Sequence, residues 1–378
     1  MTIISKLVLL PFIFSFLVAF LTTPLVIKLS NKFGLIDDPK KNKHPKVIHT
    51  YPIPRGGGIA CFFGLLVSAL LFLPLDKHLI GILLGAIILV AIGVLDDKHN
   101  LNPYKRLAFQ FLAAGIPIIV GIGIPFVKLP FVADLMSKTP SLNEILIIDS
   151  SRDILELSHP QITFQLFGDE KSIWILADIF ALFWIVFMMN MLNMGAKGVD
   201  GQLSGVVFIA AATIAILAMR YSHDVAQWPV IVLAVATSAA YLGFLPWHFY
   251  PQKIMPGFSG SSLAGYMLAV LAILSTAKVG TLLVALGVPI IDTGYTVIRR
   301  VASGKSPVWG DRGHLHHKLL DAGLSKRQIS YFYWATTALL GIIALNLNAS
   351  NKLYTIIGIA IIIGALLLWL TYRPKLLK

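Results

Sequence analysis

Eleven stretches dominated by apolar residues divide the chain: 7–26, 57–75, 79–95, 107–126, 173–192, 203–219, 228–245, 261–274, 279–297, 329–347 and 353–370. A helix that crosses a bilayer needs about 20 mostly apolar residues, and most of these runs approach that length. The pattern predicts an all-α polytopic membrane protein of about eleven transmembrane helices, built as one domain over 1–378. The run 261–274 is the shortest. The first run is too long for a cleavable signal peptide, and Lys28 and Lys32 follow it without a small-x-small cleavage site.

The segments between runs are short, except for 127–172. Within it, Ile145–Ile148 and Ile162–Leu166 are apolar or alternating runs bounded by Pro, Ser and Asp, which predicts a small β-hairpin element. No internal repeat is visible, which argues against transporter architectures built from repeats.

Composition narrows the class. Of 378 residues, 57% are hydrophobic and 13% charged, with a mean hydropathy of +0.80, whereas a soluble domain is about a quarter charged. Soluble, disordered, collagen-like and disulfide-rich secreted chains are excluded. Cys61 is the single cysteine; it lies in an apolar run and reads as a small buried hydrophobe. Lys and Arg number 31 against 18 Asp and Glu, a formal charge of +13. With the N-terminus outside, 22 of the 31 basic residues fall in 27–56, 96–106, 193–202, 246–260, 298–328 and 371–378. The positive-inside rule then gives N-out and C-in, with the 127–172 element extracytoplasmic. The basic excess belongs to the cytoplasmic face. It is no nucleic-acid footprint, because no soluble domain carries a basic stripe.

The polar residues suited to chemistry gather in five inner segments. The first holds Asp37-Asp38, then Lys40, Lys41, Lys43 and Lys46, His49, and Pro52-x-Pro54-Arg55-Gly56-Gly57-Gly58. Three glycines opening a helix either offer N–H groups to an anion or form a loose helix start in a basic loop. The third run ends in Asp96-Asp97; adjacent carboxylates bind a cation, share a proton so that one acts as a base, or simply cap the run in the headgroup zone. Asn190 and Asn193 share a helix face and hold either a ligand or a neighbouring helix; Lys197 and Asp200 follow. The aromatic segment Trp247–Tyr250 reads as an interfacial belt. After Lys253, the segment Gly257-Phe258-Ser259-Gly260-Ser261-Ser262 leads into a helix as a phosphate cradle. The last segment carries Arg299-Arg300, Asp311, His314, His316 and His317. Its cations suit phosphate better than metal, since no other ligand spacing accompanies the histidines. Five such segments on one face describe a groove where a phosphorylated water-soluble donor meets a lipid phosphate.

Pro52-x-Pro-Arg-Gly-Gly-Gly58, Asp96-Asp97 with Leu101-x-Pro103, Asn190-x-x-Asn193, Asp200-Gly201, Gly243-Phe-Leu245 with Pro251-x-Lys-Ile254, and Asp311-x-x-His-x-His-His317 stand in this order along nearly the whole chain. Together they resemble the polyprenyl-phosphate N-acetylhexosamine-1-phosphate transferases of glycosyltransferase family 4. The histidine word favours the WecA/TagO-like branch over the more distant MraY branch. The resemblance implies that polyprenyl (undecaprenyl) phosphate attacks the β-phosphate of a UDP-sugar and UMP leaves, the first membrane step of cell-envelope glycan synthesis. It implies Asp96, Asp97 and Asp200 near the reacting phosphates, with Arg55, Asn190, Asn193, Lys253, Arg300, His314, His316 and His317 holding substrate; Lys197, which is not part of the family pattern, is expected there as a positive charge on the donor diphosphate. It also implies Mg²⁺ on the diphosphate, with Asp96, Asp97 and Asp200 as its ligands. The expected partners are the UDP-sugar, polyprenyl phosphate and membrane lipid, with a homodimer as the assembly to consider.

The sequence departs from the family pattern twice. Lys197 stands where the family has the first Asp of Asn-x-x-Asp-Gly-x-Asp-Gly, after one extra residue. Phe258 stands where Gly-Asp-x-Gly-Ser places a metal-ligand Asp. These departures motivate a second reading, a non-catalytic member that binds polyprenyl phosphate or partner enzymes. A transporter, with Asp178 and Asp292 as its intramembrane charges, is a third.

Overall fold

The computed structural model describes residues 5–42, 47–128, 147–149, 154–166, 169–275, 278–306 and 311–376. Lys43, Lys46 and much of 127–172, including Ile145, lie outside the described residues.

The protein is a helical bundle. Its long helices are α1 (Leu10–Phe33), α2 (Gly58–Phe72), α3 (Lys77–His99), α4 (Pro103–Ile119), α5 (Ile175–Gly195), α6 (Gln202–Met219), α7 (Trp228–His248) and α8 (Gly257–Leu274). They are followed by α9 (Lys278–Ala285), α10 (Gly287–Ala302), α11 (Leu315–Asp321), α12 (Lys326–Asn346) and α13 (Ala349–Leu376). Each apolar run of the sequence coincides with one of these helices, or with the α9–α10 pair. Among the described residues, eight helices are long and apolar enough to cross a membrane, or nine if the bent pair is one crossing. Three runs depart from the simple expectation. The run 279–297 is broken into α9 and α10, which bend by 82°. Helix α2 has 15 residues and at 1.5 Å per residue spans only about 22 Å, against a hydrocarbon core of about 30 Å. Helix α4 has 17 residues and carries Pro117 near its end.

Burial orders the bundle. In α8, 89% of the apolar window is inside, against 28% for α1 and 17% for α13. Helix α8 therefore forms the centre, packed by α2, α3 and α5, while α1 and α13 form the rim. Leu21, Leu25, Ile361 and Ile362 are all exposed on the rim helices. In water such a surface would be untenable; facing lipid it is the expected one, and the chain is a polytopic membrane protein. The centre closes tightly because its contacts are small. A Cβ on Gly58 of α2 would stand 2.3 Å from the Gly260 nitrogen of α8, so the two helix starts meet backbone to backbone.

The sheets are minor. Strands β1 (Ile36–Asp37) and β2 (Ile53–Pro54) pair antiparallel. Strands β3 (Phe126–Lys128), β4 (Ile147–Asp149) and β5 (Ile154–Glu156) form a small sheet in the order β3-β5-β4. Strands β6 (Gln161–Leu166) and β7 (Asp169–Trp174) form the hairpin expected around Ile162–Leu166.

Candidate active site

At one end of the bundle the connections enclose a cleft of about 460 Å³, a size typical of small-molecule sites. Arg55, Asp96, Asp97, Asn193, Lys197, Asp200, Arg300, His314, His316 and His317 all line it. Residues separated by up to 262 positions in sequence thus converge, because the C-terminal end of α3 and the N-terminal end of α8, with the other contributing segments, lie at the same end of the bundle.

The β1–β2 ribbon delivers Arg55. Pairing of Asp37 with Ile53 sets the register, and the guanidinium bonds Asp37 at 2.5 Å and the Asn100 side chain at 3.0 Å. Burial works to raise the Asp37 carboxyl, but Arg55 outweighs it and holds the group below the usual carboxylate range.

Asp96 and Asp97, both buried at the end of α3, have different surroundings. Asp97 Oδ1 accepts the Phe258 backbone N–H at 2.8 Å, and Oδ2 accepts the Ser259 hydroxyl at 2.9 Å. It caps the start of α8, where helix N–H groups otherwise lack partners. Gly257 permits this approach: its φ is +69°, and a Cβ there would stand 2.1 Å from Asp97 Oδ2. The phosphate cradle expected at 257–262 is thus filled by the protein's own carboxylate. Asp96 is less committed. Its Oδ2 faces Arg106 at 3.4 Å, and among the described residues its Oδ1 has no hydrogen-bond partner.

Gly56-Gly57-Gly58 is likewise consumed by packing. Gly57 N–H donates to the Met255 carbonyl and Gly58 N–H to the Pro256 carbonyl, at 3.0 and 3.2 Å.

Lys197 lies between α5 and α6. Its Nζ donates to Asn193 Oδ1 at 2.6 Å, Gly257 O at 3.2 Å and Ser261 Oγ at 3.3 Å. Burial pushes its pKa down to about 8, although Asp97 pulls the other way. Asp200 accepts Gln252 Nε2 at 3.0 Å and Lys326 Nζ at 3.4 Å. The Ser330 hydroxyl donates to the Asp200 carbonyl at 2.7 Å.

The last wall comes from α10 and α11. Arg300 bonds Asp311 at 3.1 Å, and Arg299 joins it at 2.6 Å. Burial opposes ionisation of Asp311, yet these cations and the Gly313 N–H hold its carboxyl well below the usual range. Asp292 accepts the Leu315 N–H at 2.7 Å and lies 3.1 Å from His314 Nδ1, which fixes that ring. Burial first, then neighbouring positive groups, keeps His316 well below its ordinary value and lowers His317 to about 4. Both are neutral imidazoles at pH 7, so the positive charge of this wall comes from arginine.

Two expected substrate contacts lie elsewhere. Asn190 donates to Gln110 Oε1 at 2.9 Å, joining α5 to α4, and does not line the cleft. Lys253 rests 5.2 Å from the Trp247 ring, outside the lining. Conversely, the sequence did not single out Arg106, Gln252 or Lys326. Arg106 pairs with Asp96 and stacks 5.1 Å from the Phe258 ring. Its only signal was a basic residue one turn into the helix after Asp96-Asp97.

The cleft holds no ready-made three-carboxylate site for magnesium among the described residues. Among the described residues no group of three or more His, Cys, Asp or Glu side chains is placed to hold a metal ion. Asp96, Asp97 and Asp200 are therefore not gathered as a ligand set. Asp97 is spent on α8 and Asp200 on Gln252 and Lys326, which leaves Asp96 Oδ1 as the one uncommitted oxygen among them.

The model of glycosyl transferase family 4 matches residues 79–276. A probable undecaprenyl-phosphate N-acetylglucosaminyl 1-phosphate transferase of Bacillus subtilis is 30% identical over 84% of this chain and 78% of its own length. An undecaprenyl-phosphate alpha-N-acetylglucosaminyl 1-phosphate transferase of Haemophilus influenzae is 30% identical, covering 95% of this chain and 91% of its own. A decaprenyl-phosphate N-acetylglucosaminephosphotransferase of Mycolicibacterium smegmatis is 24% identical over 92% and 84%. The chain belongs to glycosyl transferase family 4, as its motifs indicate.

Proposed function

From that membership we propose that the chain transfers a sugar 1-phosphate, N-acetylhexosamine 1-phosphate, from a UDP-sugar to polyprenyl phosphate and releases UMP. The observation that carries the reading is the convergence of Arg55, Arg106, Lys197 and Arg300 with Asp96 on one cleft at the end of an apolar bundle. Such a site can hold two phosphorylated substrates, one in water and one anchored in lipid.

In the transfer, an oxygen of the lipid phosphate bonds to the β-phosphorus of the donor. The bond from that phosphorus to the bridging oxygen breaks, and UMP departs with the electron pair. Asp96, with its unpartnered oxygen, takes the proton from a lipid phosphate that arrives protonated. The arginines stabilise the charge that builds on the equatorial oxygens. Neutral His316 and His317 donate and accept hydrogen bonds on the nucleotide-sugar side.

All eleven apolar runs are read as crossings or part-crossings, N-out and C-in, in the plasma membrane with the cleft cytoplasmic. The distribution of basic residues supports this orientation. The test is release of UMP by purified protein given polyprenyl phosphate and a panel of UDP-sugars. Release with an N-acetylhexosamine donor is expected. Binding of polyprenyl phosphate with no release from any donor would favour the non-catalytic reading.

A further inference from the structure

Four cations line the cleft, and three of them face a carboxylate: Arg55 faces Asp37, Arg106 faces Asp96, and Arg300 faces Asp311. Lys197 differs. Its three hydrogen bonds go to neutral oxygens of Asn193, Gly257 and Ser261, and among the described residues it forms no ion pair. Asp97 and Asp96 attract it only from beyond ion-pair distance, so a buried ammonium whose hydrogen bonds all go to neutral oxygens still gains from an anion that joins it. Its place is also informative: Gly257, which accepts from it, adjoins Phe258, whose ring carries the Arg106 guanidinium. The start of α8 is thus touched by an ammonium at Gly257 and a guanidinium at Phe258.

Resting on the transferase reading, we propose that Lys197 is the diphosphate-binding charge of this enzyme, with Arg106 on Phe258 beside it, and that transfer proceeds without a divalent cation. The bond exchange is the one given above, with oxygen of the lipid phosphate replacing the bridging oxygen at the β-phosphorus and UMP leaving. Lys197 has three donors that exchange neutral protein oxygens for phosphate oxygens when the donor binds. A magnesium ion would need near-octahedral oxygens at about 2.1 Å, and of the three carboxylates Asp97 and Asp200 are already bonded elsewhere, which leaves only Asp96 Oδ1. An ammonium in the same recess would further repel the ion.

The test uses the full chain in detergent, with Mg²⁺ or with excess EDTA. UDP-sugar and uridine binding are measured by calorimetry, and UMP release with undecaprenyl phosphate is followed in parallel. Wild type is expected to bind and turn over equally, within about twofold, in both conditions. Lys197→Ala is expected to lose at least about tenfold in UDP-sugar affinity, a charge-assisted contact, while uridine binding is unchanged. Lys197→Arg should retain most of the affinity, and unfolding temperatures of the variants check that the fold persists. Lys197→Asp/Phe258→Asp should bind only with Mg²⁺. The proposal is overturned if wild type requires Mg²⁺ to bind the UDP-sugar, or if Lys197→Ala binds it as wild type does. Absence of UMP release under every condition would defeat the transferase reading, and the binding arms would still decide the role of Lys197.

Discussion

The Asp97 carboxylate accepts the Phe258 backbone N–H at 2.8 Å and so fixes the start of α8 against the end of α3. Asp96, its neighbour in sequence, keeps one oxygen unpartnered among the described residues. The acidic pair is therefore unequal, one group committed to the start of α8 and the other, in the wall of the cleft, keeping an oxygen uncommitted.

Substitution separates the two roles. Asp97→Ala removes a helix cap and its favourable charge and should cost about 1–2 kcal/mol of stability. Asp96→Asn should leave the unfolding temperature nearly unchanged but reduce UMP release by about 100-fold or more, the range of a lost general base. Thermal unfolding in detergent beside a UMP assay reads both. Equal unfolding losses in the two variants would contradict the division.

Gly257→Ala tests the same junction from the other side. A Cβ there would meet Asp97 at 2.1 Å, and φ is +69°. The variant must displace either the carboxylate or the helix start, and a loss of about 1–3 kcal/mol is expected. Because Gly257 also accepts from Lys197, UDP-sugar affinity should fall with it. Normal stability and affinity would show that this contact is dispensable.

Asn190 and Asn193 should part in kinetics. Asn190→Ala removes a hydrogen bond to Gln110 between helices, costing about 1 kcal/mol of stability with the donor KM unchanged. Asn193→Ala removes the 2.6 Å partner of Lys197 and should raise the donor KM severalfold. Steady-state kinetics over a donor series distinguishes them, and a raised KM in Asn190→Ala would return that residue to the site.

A pH dependence follows from Lys197, whose pKa is lowered to about 8 by burial against the pull of Asp97 and Asp96, with Arg55 and Arg106 lowering it further. The protonated form binds the diphosphate, so binding takes up a proton above that pH. UDP-sugar affinity should be level below about pH 8 and then weaken by up to about tenfold per pH unit. Lys197→Arg, which stays protonated, should abolish that decline. The measurement is calorimetric affinity from roughly pH 7 to pH 9.5, and a decline identical in both proteins would assign it to another group.

Much of this arrangement was legible in the sequence. Apolar run length located the helices, because in lipid a spanning segment has little choice but to satisfy its own backbone. Segment ends marked the site, since Asp96, Lys197 and Asp200 all lie close to the ends of such runs. What escaped depended on packing. Asn190 and Asn193 share a face, but one turn of helix, about 5 Å, carries Asn190 away from the cleft to Gln110. The glycines of 56–58 and 257–260 carry the same signature whether they cradle a phosphate or admit another helix, and only the contact with the partner backbone decides. Lys253 had the right neighbourhood in sequence, yet the Trp247 ring holds it outside.

Asp200 is fastened by Gln252 and Lys326, and Ser330 holds its carbonyl. Those partners are synthesised 52, 126 and 130 residues after it. During translation, then, Asp200 emerges well before the helix that secures it. A chain cut short before Lys326 carries every preceding segment of the cleft but lacks the two contacts that α12 makes with Asp200. Completion of this enzyme is a late event of biogenesis, sealed by the penultimate long helix.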